Sequence, residues 1–281
     1  MALLLAACAS SPPATNTAPP TAAIATPVTA DPWAVPESRP GRAIGYLAPS
    51  ALPDSLALVP APPAAGSAAL EHDQQVMRAA LALGGTPRFE QARRDANLDF
   101  PFAAGTFACA LGVGIDAQRT PATWRLLRRT LADAAASTRS AKEHHQRPRP
   151  FVQNGAPTCT PEDEAGLRGN GSYPSGHAAI GWTWALLLAQ AAPERTDALL
   201  TRGRSYGENR LVCNVHWNSD ILQGRFLGSG TFARLQSDPA YRADMAAATT
   251  ELVAARAQGF APDRDCAAEA AALALPLAGA L

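Results

Sequence analysis

From about residue 68 onward, apolar residues recur at three- and four-residue steps and are broken by Gly and Pro, the period of helices packed along one side. Seven segments carry this period: residues 69–84, 86–97, 121–144, 174–192, 194–213, 216–236 and 238–258. Thr120-Pro121, Pro174-Ser175, Pro193-Glu194 and Asp238-Pro239 place a proline or a capping residue at the first turn of their helices. No convincing apolar–polar alternation predicts a strand, and no segment repeats. Residues 174–192 (PSGHAAIGWTWALLLAQAA) are apolar nearly all round, which predicts a buried central helix. Its run of about 15 apolar residues is too short to span a bilayer. The expected fold is therefore all-α, a single-domain helical bundle built around that helix.

Helical geometry also says where two cations point. On 121–144, Trp124, Leu127, Leu131, Ala135 and Thr138 form a stripe that continues to Lys142, eighteen residues or five turns past Trp124. On 194–213, Leu199, Gly203, Tyr206 and Arg210 fall on one stripe. Lys142 and Arg210 should both face the core, where a cation is costly unless an anion meets it. Either alone could snorkel or pair with a structural carboxylate. Both together, with Arg149 as a third cation nearby, favour an anionic ligand.

Composition narrows the classes. The chain has 281 residues, 47% hydrophobic and 17% charged, which is a globular balance. Its formal net charge is zero and no long Lys/Arg run is present, so nothing argues for nucleic acid and any anion site must be local. At the start, MALLLAACAS sets a short apolar run before Cys8, and Leu5-Ala6-Ala7-Cys8 has the order of a bacterial lipoprotein processing box. Residues 1–8 therefore read as the end of a signal peptide with a candidate lipid anchor at Cys8. Residues 9–40, rich in Pro, Ala and Thr, read as a tether, and 41–281 as the folded domain. Export is expected, to the periplasm or beyond. Cys109, Cys159, Cys213 and Cys266 are an even set without a CxxC spacing, which suggests two disulfides with three pairings open. Cys213, near His216, has nothing beside it to lower its pKa and is not read as a nucleophile.

Candidate chemistry sits in three clusters: Lys142–Pro150 (KEHHQRPRP), Gly171–His177 (GSYPSGH) and Asn209–Asp220 (NRLVCNVHWNSD). His216 and Asp220, four apart, should be neighbours on one helical face, so that the carboxylate orients one ring nitrogen and leaves the other free to act. Pro174-Ser175-Gly176 precede His177 at a helix start, where unpaired N–H groups and the dipole favour an anion and Gly176 permits close approach.

Together these residues resemble the signature of the type 2 phosphatidic acid phosphatase superfamily, whose fold it shares with vanadium haloperoxidases. That signature is Lys, six residues, Arg-Pro; then Pro-Ser-Gly-His; then Ser-Arg, five residues, His, three residues, Asp. Here it falls on Lys142, Arg149-Pro150, Pro174–His177, Arg210, His216 and Asp220 with every internal spacing kept. GSYPSGH is most similar to the bacterial class A non-specific acid phosphatases, and the likeness runs from Tyr46-Leu47 through PDSLALVPAPPAAGS to the C-terminal region. Two positions depart: Asn209 stands where the family has Ser, and Glu208 where Gln is common. His145 stands where an aromatic residue is usual, which bears on substrate preference.

The resemblance implies a metal-independent acid phosphatase acting on small phosphate monoesters of broad structure, with no cofactor. Lys142, Arg149, Arg210, the Ser175 hydroxyl and the Gly176 N–H would hold phosphate oxygens. His216, oriented by Asp220, would attack phosphorus, and His177 would protonate the leaving alcohol and then activate water. Asn209 is expected to keep a hydrogen bond at the site, and Glu208 to weaken phosphate affinity or shift the pH optimum. A homo-oligomer is a candidate assembly by class A likeness. The alternatives are a vanadium haloperoxidase, similar in these motifs; a metallophosphatase, disfavoured because from His177 to the end of the third cluster the motifs contain one carboxylate, Asp220, apart from Glu208; and a non-catalytic phosphate-binding module.

Overall fold

The computed structural model describes residues 31–280. The Leu5–Cys8 box and the tether as far as residue 30 lie outside the described residues. No strand is expected from the sequence, yet β1 (Glu37–Arg39) and β2 (Arg42–Ala43) pair antiparallel, turning at Gly41 with φ +79°. The first strand lies inside the stretch read as tether, and side chains of a later helix hold the hairpin. Arg125 donates to the Ala34 carbonyl, Arg128 pairs with Glu37 at 2.5 Å, and Arg129 donates to the Ile44 and Gly45 carbonyls.

Thirteen α-helices follow among the described residues. The first are α1 (Ser55–Leu58), α2 (Ala68–Leu81), α3 (Pro87–Ala96) and α4 (Ala108–Leu111). Ser67 and Thr86 cap α2 and α3 by accepting from Leu70 N and Phe89 N, and Pro87 supplies the preset φ of a first turn. Next come α5 (Pro121–Ser137), α6 (Arg139–His145), α7 (Pro150–Asn154) and α8 (Glu164–Arg168). The remaining five are α9 (Gly176–Ala191), α10 (Thr196–Val212), α11 (Asn218–Leu235), α12 (Pro239–Ala257) and α13 (Cys266–Leu273). None of the described helices is long and apolar enough to cross a membrane.

Helix α9 is the centre, as its all-round apolarity predicts. Ile180, Trp184, Leu187 and Leu188 are buried, each worth roughly 1.5–3 kcal/mol relative to exposure. Trp184 also donates from its ring nitrogen to the Leu127 carbonyl, with Phe100 and Phe107 edge-on to it. Helices α10 and α11 lie along α9 so closely that a methyl group at Gly181 would strike the Tyr206 ring, and one at Gly224 the Ser175 carbonyl. Helix α12 packs on α5, and its Glu251 accepts from Ala122 N and Thr123 N, placing a carboxylate at the positive end of α5. Two disulfides select one of the three pairings: Cys109–Cys266 joins α4 to α13, and Cys159–Cys213 joins the chain before α8 to the end of α10.

Four expectations need correcting. The 121–144 segment is two helices, because Thr138 ends α5 and its hydroxyl bonds back to the Ala135 carbonyl. The inward face of α5 is also rotated: Ala122, Thr123, Leu126, Leu127, Thr130, Ala134 and Ser137 are buried, whereas Ala135 is exposed and Trp124 and Leu131 are half-buried. The hairpin, α9 and α12 share α5, so more than one stripe is covered. Helix α11 begins at Asn218, so His216 precedes it; and α9 begins at Gly176, with Pro174 outside and Ser175 as its cap.

Candidate active site

The start of α9 turns one end of its backbone toward a cluster of cations. Ser175 Oγ accepts from Ala178 N, and Ser175 N donates to the Asp220 carbonyl, joining the starts of α9 and α11. The Gly176 and His177 N–H groups find no acceptor among the described residues. A methyl group on Gly176 would meet only Thr138 Oγ1, at 3.8 Å, so protein packing does not require glycine there.

Although His216 lies outside α11, it still meets Asp220. Asp220 is the third residue of α11, and its Oδ2 accepts from Trp217 N at 2.8 Å and from His216 Nδ1 at 3.2 Å. The contact comes from a helix cap and not from two residues on one helical face. The other ring nitrogen, Nε2, receives Arg149 Nη1 at 3.2 Å. A guanidinium only donates, so this network assigns the proton to Nδ1 and a lone pair to Nε2. Burial, then Arg149, Lys142 and Arg210, hold His216 well below the usual imidazole range.

Three cations gather around that lone pair. Arg149 is held by carbonyls of Leu167, Asn170 and Val215. Burial, with Arg210 beside it, draws its pKa down to about 10. Lys142 donates to the Gly171 and Pro174 carbonyls at 2.8 and 2.9 Å; burial and then Arg149 lower it to about 7. Arg210 is buried, and among the described residues it donates only to Cys213 Sγ and leaves its Nε without a partner. No carboxylate pairs directly with any of the three among the described residues. Asp220, whose charge acts on Lys142 and Arg149, is already bound through Oδ1 to Arg147 at 2.7 Å. A site with this surplus of buried positive charge has room for a dianion.

His177 faces the same ground from the first turn of α9. Its Nε2 donates to the Ala96 carbonyl at the end of α3 (3.0 Å), and its ring stacks on Tyr206. Burial first, then Arg210, lowers its pKa well below the ordinary value. Lys142, Gly176 and His177 line a cleft of about 460 Å³ that leads outward past Leu98 and Ile180.

Comparison with known proteins completes this picture. A family model described as PAP2 superfamily matches residues 123–242, which hold all three motifs. The chain is 41% identical to a non-specific acid phosphatase of Salmonella typhimurium over 195 residues, 69% of this chain and 78% of that protein. It is 42% identical to a non-specific acid phosphatase of Providencia stuartii, over 73% of this chain and 84% of that one. An acid phosphatase of Zymomonas mobilis is 38% identical over 75% and 80%. This chain belongs to the class A acid phosphatases of the PAP2 superfamily.

As a class A acid phosphatase it carries phosphomonoesterase activity, and its two departures from the family pattern are engaged with partners outside the three cations. Asn209 is buried behind Arg210: its Oδ1 accepts from Arg88 Nε at 2.6 Å and its Nδ2 donates to Asp95 at 2.7 Å. Glu208 pairs with Arg88, Arg204 and Arg225. Asn209 does donate a hydrogen bond, to Asp95, and the Glu208 carboxylate is met by arginines. Successive residues on α10 point about 100° apart, and these two face other neighbours. His145 stacks edge-on to Tyr173 and His144.

Sequence reasoning missed the support behind Asp220. Arg147 bridges Asp220 and Asp73, each at 2.7 Å, and Ser219 donates to Asp73 from both its N–H and its hydroxyl. Arg147 stands two residues before Arg149 in RPRP and gave a visible signal. Asp73, on α2, and the Ala96 carbonyl gave none.

Proposed function

We propose that this phosphatase works through a phosphohistidine on His216 without a metal ion. The Nε2 lone pair attacks phosphorus, forming a P–N bond as the P–O bond to the alcohol breaks. His177, protonated once the bound phosphate dianion offsets the Arg210 and Arg149 charges that otherwise lower its pKa, gives its proton to the leaving oxygen. It then takes one from water, whose oxygen attacks phosphorus as the P–N bond breaks and phosphate departs. Lys142, Arg149, Arg210, the Ser175 hydroxyl and the Gly176 N–H stabilise the equatorial oxygens. The observation that carries this reading is the juxtaposition of the His216 lone pair with three buried cations that lack carboxylate partners. Among the described residues no three His, Cys, Asp or Glu side chains gather as a metal-ligand set, which agrees with a mechanism resting on these cations.

His216→Ala is expected to lower kcat on p-nitrophenyl phosphate by at least about 10³-fold. Acid quenching during turnover of a labelled monoester should leave acid-labile phosphate on the wild type and none on the variant. Retained activity in the variant, or wild-type activity abolished by a chelator, would reject the proposal. We also infer export, with lipid attachment at Cys8, supported by the processing-box order and by two disulfides that an oxidising compartment maintains. Failure of the expressed full chain to take up labelled fatty acid would refute the attachment.

A further inference from the structure

The catalytic cleft does not end at Leu98 and Ile180. Together with Ala135 and Arg139, these two residues also line a wider groove of about 970 Å³, so the two spaces are continuous. One wall of that groove is the β1–β2 hairpin, residues 38–43, and the other is the exposed side of α5. The floor is apolar, with Leu98, Phe100, Leu131 and Ile180, while the rim carries four arginines, Arg39, Arg42, Arg128 and Arg139, against one carboxylate, Asp99. Arg128 is neutralised by Glu37. The guanidinium groups of Arg39, Arg42 and Arg139 have no hydrogen-bond or carboxylate partner among the described residues.

We propose that this groove is a second anion subsite, selecting monoesters whose leaving alcohol bears another phosphate group on a short carbon scaffold. The inference rests on the phosphatase reading above and adds to it what the leaving group looks like. Geometry sets the scale. Arg139 precedes Lys142 by three residues on α6, one turn or roughly 5 Å away. Arg128, on α5, stands ten residues before that helix ends at Thr138, roughly 15 Å by helical rise. A scaffold of several carbons would cross the apolar floor while its far phosphate met the arginine forks, whose planar donors match phosphate oxygens. A groove lined mainly by one sign of charge also concentrates such an anion before it reaches the buried site.

The test compares 1,6-hexanediol bisphosphate with n-hexyl phosphate, which differ only at the remote end, and uses p-nitrophenyl phosphate as a reference. In the wild type the bisphosphate should have the lower KM by about tenfold, the size of one or two partly exposed charge-assisted contacts. The double variant Arg39→Gln/Arg42→Gln should lose most of that preference, with kcat and KM for p-nitrophenyl phosphate within about twofold of wild type. Equal KM values for the two hexyl esters in the wild type, or an unchanged preference in the double variant, would overturn the subsite and leave the phosphatase reading intact. Calorimetric binding of both hexyl esters to the His216→Ala protein, with and without the two arginine substitutions, reads the subsite without turnover. It therefore decides the matter even if the histidine mechanism itself fails.

Discussion

At the scale of single residues, the site is shaped by burial acting on groups that would otherwise be charged. Burial and three cations oppose protonation of His216 and hold its pKa well below the usual imidazole range, which favours the neutral ring that the proposed phosphohistidine route needs. Lys142 is the opposite case. With a pKa of about 7 in the folded chain against 10.5 ordinarily, it is a cation only on the acidic side. The folded chain binds fewer protons than the unfolded chain between those values, so this group's share of stability is lowest below pH 7 and rises across that window. Activity follows the reverse order: kcat/KM should fall as pH rises through about 7, and Lys142→Gln should lower the plateau while removing that limb. A pH profile of the variant that keeps the same limb would assign it to another group. Asn209 supports the fold behind the site. Asn209→Ala leaves Arg88 Nε without its buried acceptor and removes one of the two donors to Asp95 Oδ2, the other being Arg202, and should destabilise the chain by about 1–3 kcal/mol in urea titrations. The kcat on p-nitrophenyl phosphate should change little.

At the scale of elements, helix starts do much of the positioning. The first turn of α11 holds Asp220, which caps Trp217 N and orients His216; the first turn of α9 presents Gly176 and His177; and the Ser175 N–H to Asp220 carbonyl bond joins the two. Because α11 approaches α9 at Gly224, a side chain there must push the two starts apart. Gly224→Ala is expected to lower stability by about 1–3 kcal/mol and to reduce kcat more than it raises KM, since it displaces Ser175. Wild-type kinetics in that variant would show that the spacing is not critical. The break at Thr138 acts similarly, because α6 is a separate element that can turn Lys142 toward the Gly171 and Pro174 carbonyls.

At the scale of the whole molecule, segments far apart in sequence share the site. Asp73 on α2 anchors Arg147, the Ala96 carbonyl of α3 fixes the His177 ring, and the hairpin before residue 44 walls the outer groove. The Cys159–Cys213 disulfide closes a 54-residue loop at the residue next to Asn214 and three past Arg210. Replacing both cysteines with Ser should lower stability by roughly 4 kcal/mol on the loop-entropy model, and activity should fall with it as Arg210 loses its neighbour. Thermal melts with phosphatase assays check this, and full activity at unchanged melting temperature would contradict it.

Much of this was legible before any coordinates. The period of three and four residues determined the seven long helices, and the apolar surround of residues 174–192 determined which of them is central, because a segment with no polar face has no other stable place. The spacings of Lys142, Arg149, His177, Arg210, His216 and Asp220 singled out the cluster of cations and histidines, since those residue types together suit an oxyanion. What tertiary structure decided were matters of pairing across distance. These include which cysteines join, that Asn209 and Glu208 turn to Asp95 and to arginines, that Arg147 and Asp73 stand behind Asp220, and that a two-stranded hairpin lies on α5. None of these leaves a local period in the chain, because each is fixed by which surfaces meet when separate elements bury their apolar faces.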